Sequence, residues 1–179
     1  MASWSALLER RTGVQAIWKD HLETWSDSPV GRVAKVDRRK WAVWFFGVPT
    51  VGAAPFFFFH FNLNGIGQIL AGTSVFTGLL FGLLGVIFNM GVTLRKEGDK
   101  FPNAHNLPVA IADLRANITY AIIVGFVLSV TLGIAAGVST SAALAWGWTP
   151  AIVWLFIHLG LTLLMVLRRF RTAFNYITR

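Results

Sequence analysis

Few side chains in this sequence are placed to do chemistry. The four histidines stand at positions 21, 60, 105 and 158, in no metal-ligand spacing. There is no cysteine, which excludes disulfides and thiolate chemistry. The acids are Glu9, Asp20, Glu23, Asp27, Asp37, Glu97, Asp99 and Asp113, mostly among basic residues. No nucleophile, base and orienting group can be assembled from them. Gly65-Ile66-Gly67 begins like a dinucleotide-binding loop, but Leu70 stands where the third glycine belongs. Catalytic, cofactor-binding and metal-ligating residues are therefore expected to be none, and the chain is expected not to be an enzyme.

One ionisable residue lies in an otherwise uncharged stretch. His158 has Trp154 and Thr162 four residues to either side, on the same helical face. A proton relay or a pore lining would use such a residue. A neutral imidazole hydrogen-bonded across a helix interface is the alternative. The absence of Asp or Glu from the apolar stretches favours the neutral imidazole. Asn89 and Asn117 fall near one common depth, at the cytoplasmic ends of two other stretches, where they could meet and pair.

The elements that must hold these groups follow from the charge map. All 16 Lys and Arg fall into three blocks, 8 before residue 41, 4 within residues 95–115 and 4 within residues 168–179. Residues 41–94 and 116–167 carry no charge. About 20 helical residues cross a bilayer core, so each stretch is long enough for two crossings. The first divides at His60 to Gly65, where two Asn and a Gly favour a turn. The second divides between 138 and 148, and Thr149-Pro150 suits a helix start. The expected spans are about 41–61, 66–94, 118–138 and 149–167. The fold class is an all-α integral membrane protein of four transmembrane helices, arranged as two hairpins. Loops retained in the cytoplasm carry the Lys/Arg excess, which places both ends, loop 95–115 and tail 168–179 inside.

Residues 1–40 form a separate basic, amphipathic segment ahead of the transmembrane domain 41–179. Trp4, Leu7, Leu8, Val14, Ile17, Trp18, Leu22 and Trp25 recur at near-helical spacing, with charges largely between them. The helix is expected on the inner membrane surface, with Trp4, Trp18 and Trp25 at the headgroup boundary. Packing on the protein's own inner face is the alternative. Ser28-Pro29 restarts a helix. Lys35, Arg38, Arg39 and Lys40 form a collar for anionic headgroups. The net charge of +8 is explained by this topology, so nucleic acid is not an expected partner. The first apolar run begins only after forty residues, and no signal peptide is expected.

Small residues recur in two spans. Ala121, Gly125, Ser129, Gly133 and Gly137 are four apart, and Ser74, Gly78 and Gly82 repeat the pattern. Such faces allow close helix approach, within one chain or between copies. Pro49 and Pro55 interrupt the first span and are expected to kink it. Phe56 to Phe59 are expected to face lipid.

Two segments carry a resemblance. Asn117-Ile118-Thr119-Tyr120-Ala121-Ile122, after a basic loop, and the run from His158 to Arg169 at the end of the last span resemble small four-span bacterial membrane proteins of unknown function. Some of those are found beside anti-phage defence genes. The resemblance covers the last two spans and implies an accessory or effector role at the bacterial inner membrane, through oligomers that perturb it. It defines no functional residue. The expected function is a non-enzymatic, oligomeric membrane-perturbing, pore-forming or sensing component. A structural or anchoring subunit of a larger membrane complex and a phage holin-like pore are the alternatives.

Overall fold

A computed structural model describes residues 13–25, 38–97, 107–138 and 147–177. Trp4, Lys35 and the Ser28-Pro29 restart lie outside the described residues, as do the side chains of Arg38 and Arg39. The chain is an all-α integral membrane protein. A helix α1 (Val14–Glu23) precedes four helical spans. The first span is composite, with α2 (Arg38–Ala42), a π-helical turn (Val43–Gly47) and α3 (Val48–Phe58). The second is α4 (Ile66–Glu97), the third α5 (Leu107–Val138) and the fourth α6 (Thr149–Ile177).

The helices outrun the spans expected from the charge map. A 32-residue helix such as α4 or α5 is about 48 Å long, against a bilayer core of about 30 Å. Charged residues mark where the membrane stops, but a hydrogen-bonded helix continues into water. Hence α5 begins at Leu107 rather than near 118, and α6 runs on through the basic residues to Ile177. Much of the expected loop 95–115 and tail 168–179 is therefore helix. The chain reverses near Gly65, whose φ of 75° is open to glycine without a Cβ penalty. Thr149 opens α6 as its Thr-Pro dipeptide implied.

The spans are ordered first, fourth, third, second. Neighbours run antiparallel: Phe45 and Thr50 meet His158 and Trp154, Asp113 and Tyr120 meet Arg169 and His158, and Ile111 and Gly125 lie against Gly91 and Thr77. The first and second spans are consecutive in sequence but do not pack on each other to any extent. Each instead seats on one of the later pair, so the first hairpin is open and the second is the core.

The core face of α5 is a heptad seam. Leu114, Ile118, Ala121, Gly125, Leu128, Leu132 and Ala135 are spaced alternately four and three apart, and all are buried. On α4 the facing residues are Thr73, Thr77, Leu80 and Ile87. The two threonines donate to their own helix at Ile69 O and Thr73 O, so burial leaves neither hydroxyl proton unpaired.

The expected small-residue stripe fits this seam only in part. Residues four apart advance about 40° beyond a full turn each step, so five of them sweep about 160°. Ala121 and Gly125 are buried, Ser129 is half-buried, and Gly133 and Gly137 are exposed. On α4, Ser74, Gly78 and Gly82 all face outward, and an added Cβ at either glycine would meet nothing within 4 Å. The second-span stripe is thus not what packs against the third span. Between α4 and α6, towards the uncharged end, lies an open apolar groove of about 380 Å³, lined by Gln68, Gly72, Phe76, Phe156, Gly160 and Leu163 among others.

Candidate functional site

The polar side chains of the bundle gather where α1 meets it. Pro49 supplies the first piece. In a regular helix the N–H of residue 49 would bond to the carbonyl of Phe45, but proline has none. The chain loosens into the π-helical turn just before it. His158 Nδ1 lies 3.0 Å from that carbonyl oxygen. A carbonyl only accepts, so Nδ1 carries the proton. Nε2 is then an acceptor, and the Tyr120 hydroxyl donates to it across 2.8 Å.

His158 is 2% exposed. Trp154 stacks on its ring at 5.0 Å and 11°, and Thr162 donates to its backbone carbonyl at 2.9 Å. The Trp154 indole also donates to Thr50 at 3.1 Å, which ties the first span to the fourth. Both flanking residues expected near His158 are therefore in contact with it. The geometry is that of a neutral imidazole bridging three spans.

A second buried histidine comes from α1. His21 is 0% exposed and stacks on Tyr120 at 3.9 Å and 14°. The Trp25 indole N–H points at His21 Nε2 from 3.3 Å. Indole can only donate, so Nε2 is unprotonated and Nδ1 carries the hydrogen. Nδ1 donates to Asn117 Oδ1 at 2.7 Å. The one hydroxyl proton of Thr24 lies within reach of two acceptors, His21 O at 2.7 Å and Asn117 Oδ1 at 2.9 Å. Asn117 is itself 0% exposed, and its Nδ2 has no hydrogen-bond partner within the described protein. Burial pushes the His21 imidazole down from 6.5 to about 4, against the pull of its bond to Asn117 and with a smaller push from His158.

Apolar and ionic contacts complete the seat of α1. Trp25 is 3% exposed and stacks on Phe45 at 5.2 Å, with Met165 in the same cluster. Trp18 packs on Tyr120 and Phe46. Arg169 pairs with Asp113 at 3.2 Å and also donates to the carbonyl of Thr24 at the end of α1. Beside it, the Arg168 guanidinium lies 5.8 Å above the Trp41 ring.

Several sequence expectations change here. Trp25 was expected at the headgroup boundary but is enclosed by protein, and Trp18 is half-covered by the bundle. The apolar face of α1 finds aromatic partners in its own chain, which replaces the lipid contact. Asn117 does not pair with Asn89. Asn89 is exposed on α4, while Asn117 turns inward to His21 and Thr24. His21, Thr24, Tyr120 and the Asp113–Arg169 pair were not anticipated. The available signal for His21 was its position on the apolar face of α1, four residues after Ile17 and four before Trp25.

Fold and site define a four-span membrane protein whose amphipathic N-terminal helix is locked to the bundle by buried polar groups. Comparison of the chain with protein-family models, curated proteins and solved structures finds no match.

Proposed function

We propose that this chain is a non-enzymatic, multi-pass protein of the bacterial inner membrane, with both ends in the cytoplasm, that acts as a sensor through reversible seating of α1. The observation that carries this reading is the buried His21–Asn117–Thr24 cluster beneath an amphipathic helix. Such a helix has two resting places. One is the aromatic seat on the bundle, and the other is the headgroup boundary, where Ile17, Trp18, Leu22 and Trp25 would enter lipid. Two alternative sites for one element make a two-state device that a signal can bias. Anionic headgroups near the Lys35, Arg38, Arg39 and Lys40 collar favour the released state.

Association of copies is part of the proposal. The outward face with Ser74, Gly78 and Gly82 is suited to close contact with a second copy, and a homo-oligomer is the expected working form. Perturbation of the membrane by that oligomer, in bacterial defence, is the output that the family resemblance implies. No nucleic acid, metal or cofactor enters the proposal.

The test uses induced expression of the full chain, with membrane potential and growth as readouts. One variant has α1 cross-linked to the third span through cysteines introduced at 24 and 117. Another, Asn117→Leu, lacks the acceptor that holds α1. Depolarisation or growth arrest with the second and silence with the first support the reading. Identical behaviour of both variants overturns it. In that event, co-purification with one defined membrane complex would establish the anchoring-subunit alternative.

A further inference from the structure

We propose that His21 is a proton-operated latch: protonating its imidazole unseats α1 from the bundle. This rests on the reading of α1 as a movable element and names the signal that moves it.

Both ring nitrogens of His21 are committed, and only one neutral tautomer satisfies them. Nδ1–H donates to Asn117 and Nε2 accepts from Trp25. A proton added at Nε2 sets an imidazolium N–H against an indole N–H 3.3 Å away. Indole has no lone pair to offer in return. The ring is 0% exposed, so no bulk water reaches it. Trp25 must swing away, and its stack on Phe45 goes with it.

Among the described residues, the surroundings offer the imidazolium no free counter-ion. On α1 itself, Lys19, Asp20 and Glu23 are exposed. From α5 the titratable groups on this side are Tyr120, stacked on the ring, and Asp113, which is engaged by Arg169. From α6 they are His158 and Arg169, either neutral or already cationic. From the π-helical turn, Phe45 faces the ring and brings no charge. A positive charge at His21 is thus flanked by a second imidazole and a guanidinium.

His158 behaves differently. Its Nε2 partner is a tyrosine hydroxyl, which can rotate and accept when Nε2 is protonated. This difference at Nε2 makes His21 the sensitive position. Free imidazole takes up its proton near 6.5, while the seated ring resists until about 4. Through this linkage the seating equilibrium weakens about 300-fold on passing from pH 7.5 to below 4.

The test is a distance measurement on the full chain in nanodiscs of phosphatidylcholine and phosphatidylglycerol. The chain has no native cysteine. Nitroxide labels are placed on cysteines replacing the exposed Asp20 and Arg171. The expected result is one narrow distance at about pH 7.5 that gives way to a broad, longer distribution as pH falls to about 4. His21→Gln, which cannot be protonated, should remain seated throughout. His158→Gln should release at the wild-type pH. ¹⁵N-imidazole spectra of the unlabelled protein should show His21 neutral with its proton on Nδ1 at about pH 7.5. An unchanged distance across the range overturns the latch, as does release of His21→Gln at the wild-type pH or an Nε2–H tautomer. A failed latch leaves the cross-linking experiment on α1 to stand by itself. Acid release without any cellular response to α1 position supports the latch and overturns the sensor reading.

Discussion

Gly125 packs directly against Thr77 of the second span, and Gly125→Ala tests whether the heptad seam holds the fold. A Cβ at Gly125 would lie 2.5 Å from Thr77 Oγ1, whereas ordinary contact begins near 3.4 Å. The shortfall is about 0.9 Å, and both ways out are costly. Thr77 can rotate and give up its bond to Thr73 O, or the helices can part and loosen the Leu80 and Leu128 layers around them. Overpacking of this kind costs about 1–3 kcal/mol. Replacing a helical glycine also returns up to about 1 kcal/mol of propensity. Gly133→Ala shares that gain without the clash, because its Cβ would meet nothing within 4 Å. The difference between the two variants is therefore the quantity to measure, and it should be about 1–3 kcal/mol. The assay is reversible unfolding in mixed micelles, titrated with SDS and followed by far-UV circular dichroism. Thr77→Ala removes the clashing hydroxyl and should recover most of the loss in the double variant. Equal stability of Gly125→Ala and Gly133→Ala, within about 0.5 kcal/mol, refutes the seam as the source of cohesion.

Three further outcomes are expected. The folded state holds His21 near 4 against 6.5 when free, so it binds fewer protons than the unfolded state between those values. Stability should therefore be complete above about pH 6.5 and fall by up to about 3 kcal/mol as pH drops towards 4, and a flat profile in His21-intact protein would contradict this. His158→Leu leaves the Phe45 carbonyl and the Tyr120 hydroxyl without their partner and should cost about 1–3 kcal/mol. Combining it with Pro49→Ala restores an N–H for that carbonyl, so the pair should be less destabilised than the sum; strict additivity in the same unfolding assay removes proline from the explanation. Arg169→Ala frees Asp113 and the Thr24 carbonyl at the end of α1, and should lower stability by about 1–2 kcal/mol, with the α1 label distance broadening at neutral pH. An unaltered distance would show that Arg169 does not hold the helix.

The membrane architecture was legible because charge in a bilayer protein is positional. Two uncharged stretches, each twice a bilayer in length, leave little freedom in the number of spans. The pairing of the spans was not legible in the same way. Every span is apolar on all sides, so no hydrophobic face points to a partner. The eye is drawn to glycines four apart in the third span, while the residues that pack alternate four and three and include Leu114, Leu128 and Leu132. His158 could be singled out because an ionisable side chain at depth is conspicuous. His21 offered only its place on the apolar face of α1, which gains meaning once the third span is known to cover it. Tyr120 was equally silent, its hydroxyl being meaningful only once two imidazoles from distant segments are brought to either side of it.

The order of the spans has a consequence for how the protein is made. Translation delivers α1 and the first two spans to the membrane before either of their seats exists. The first span waits for the fourth, the second waits for the third, and α1 waits for Asn117, Tyr120 and Arg169. Until the later half emerges, the early segments lack the helices of their own chain on which they seat. The docking of α1 then comes after nearly everything else, and its bond from Arg169 forms only when synthesis has reached the inner end of the fourth span.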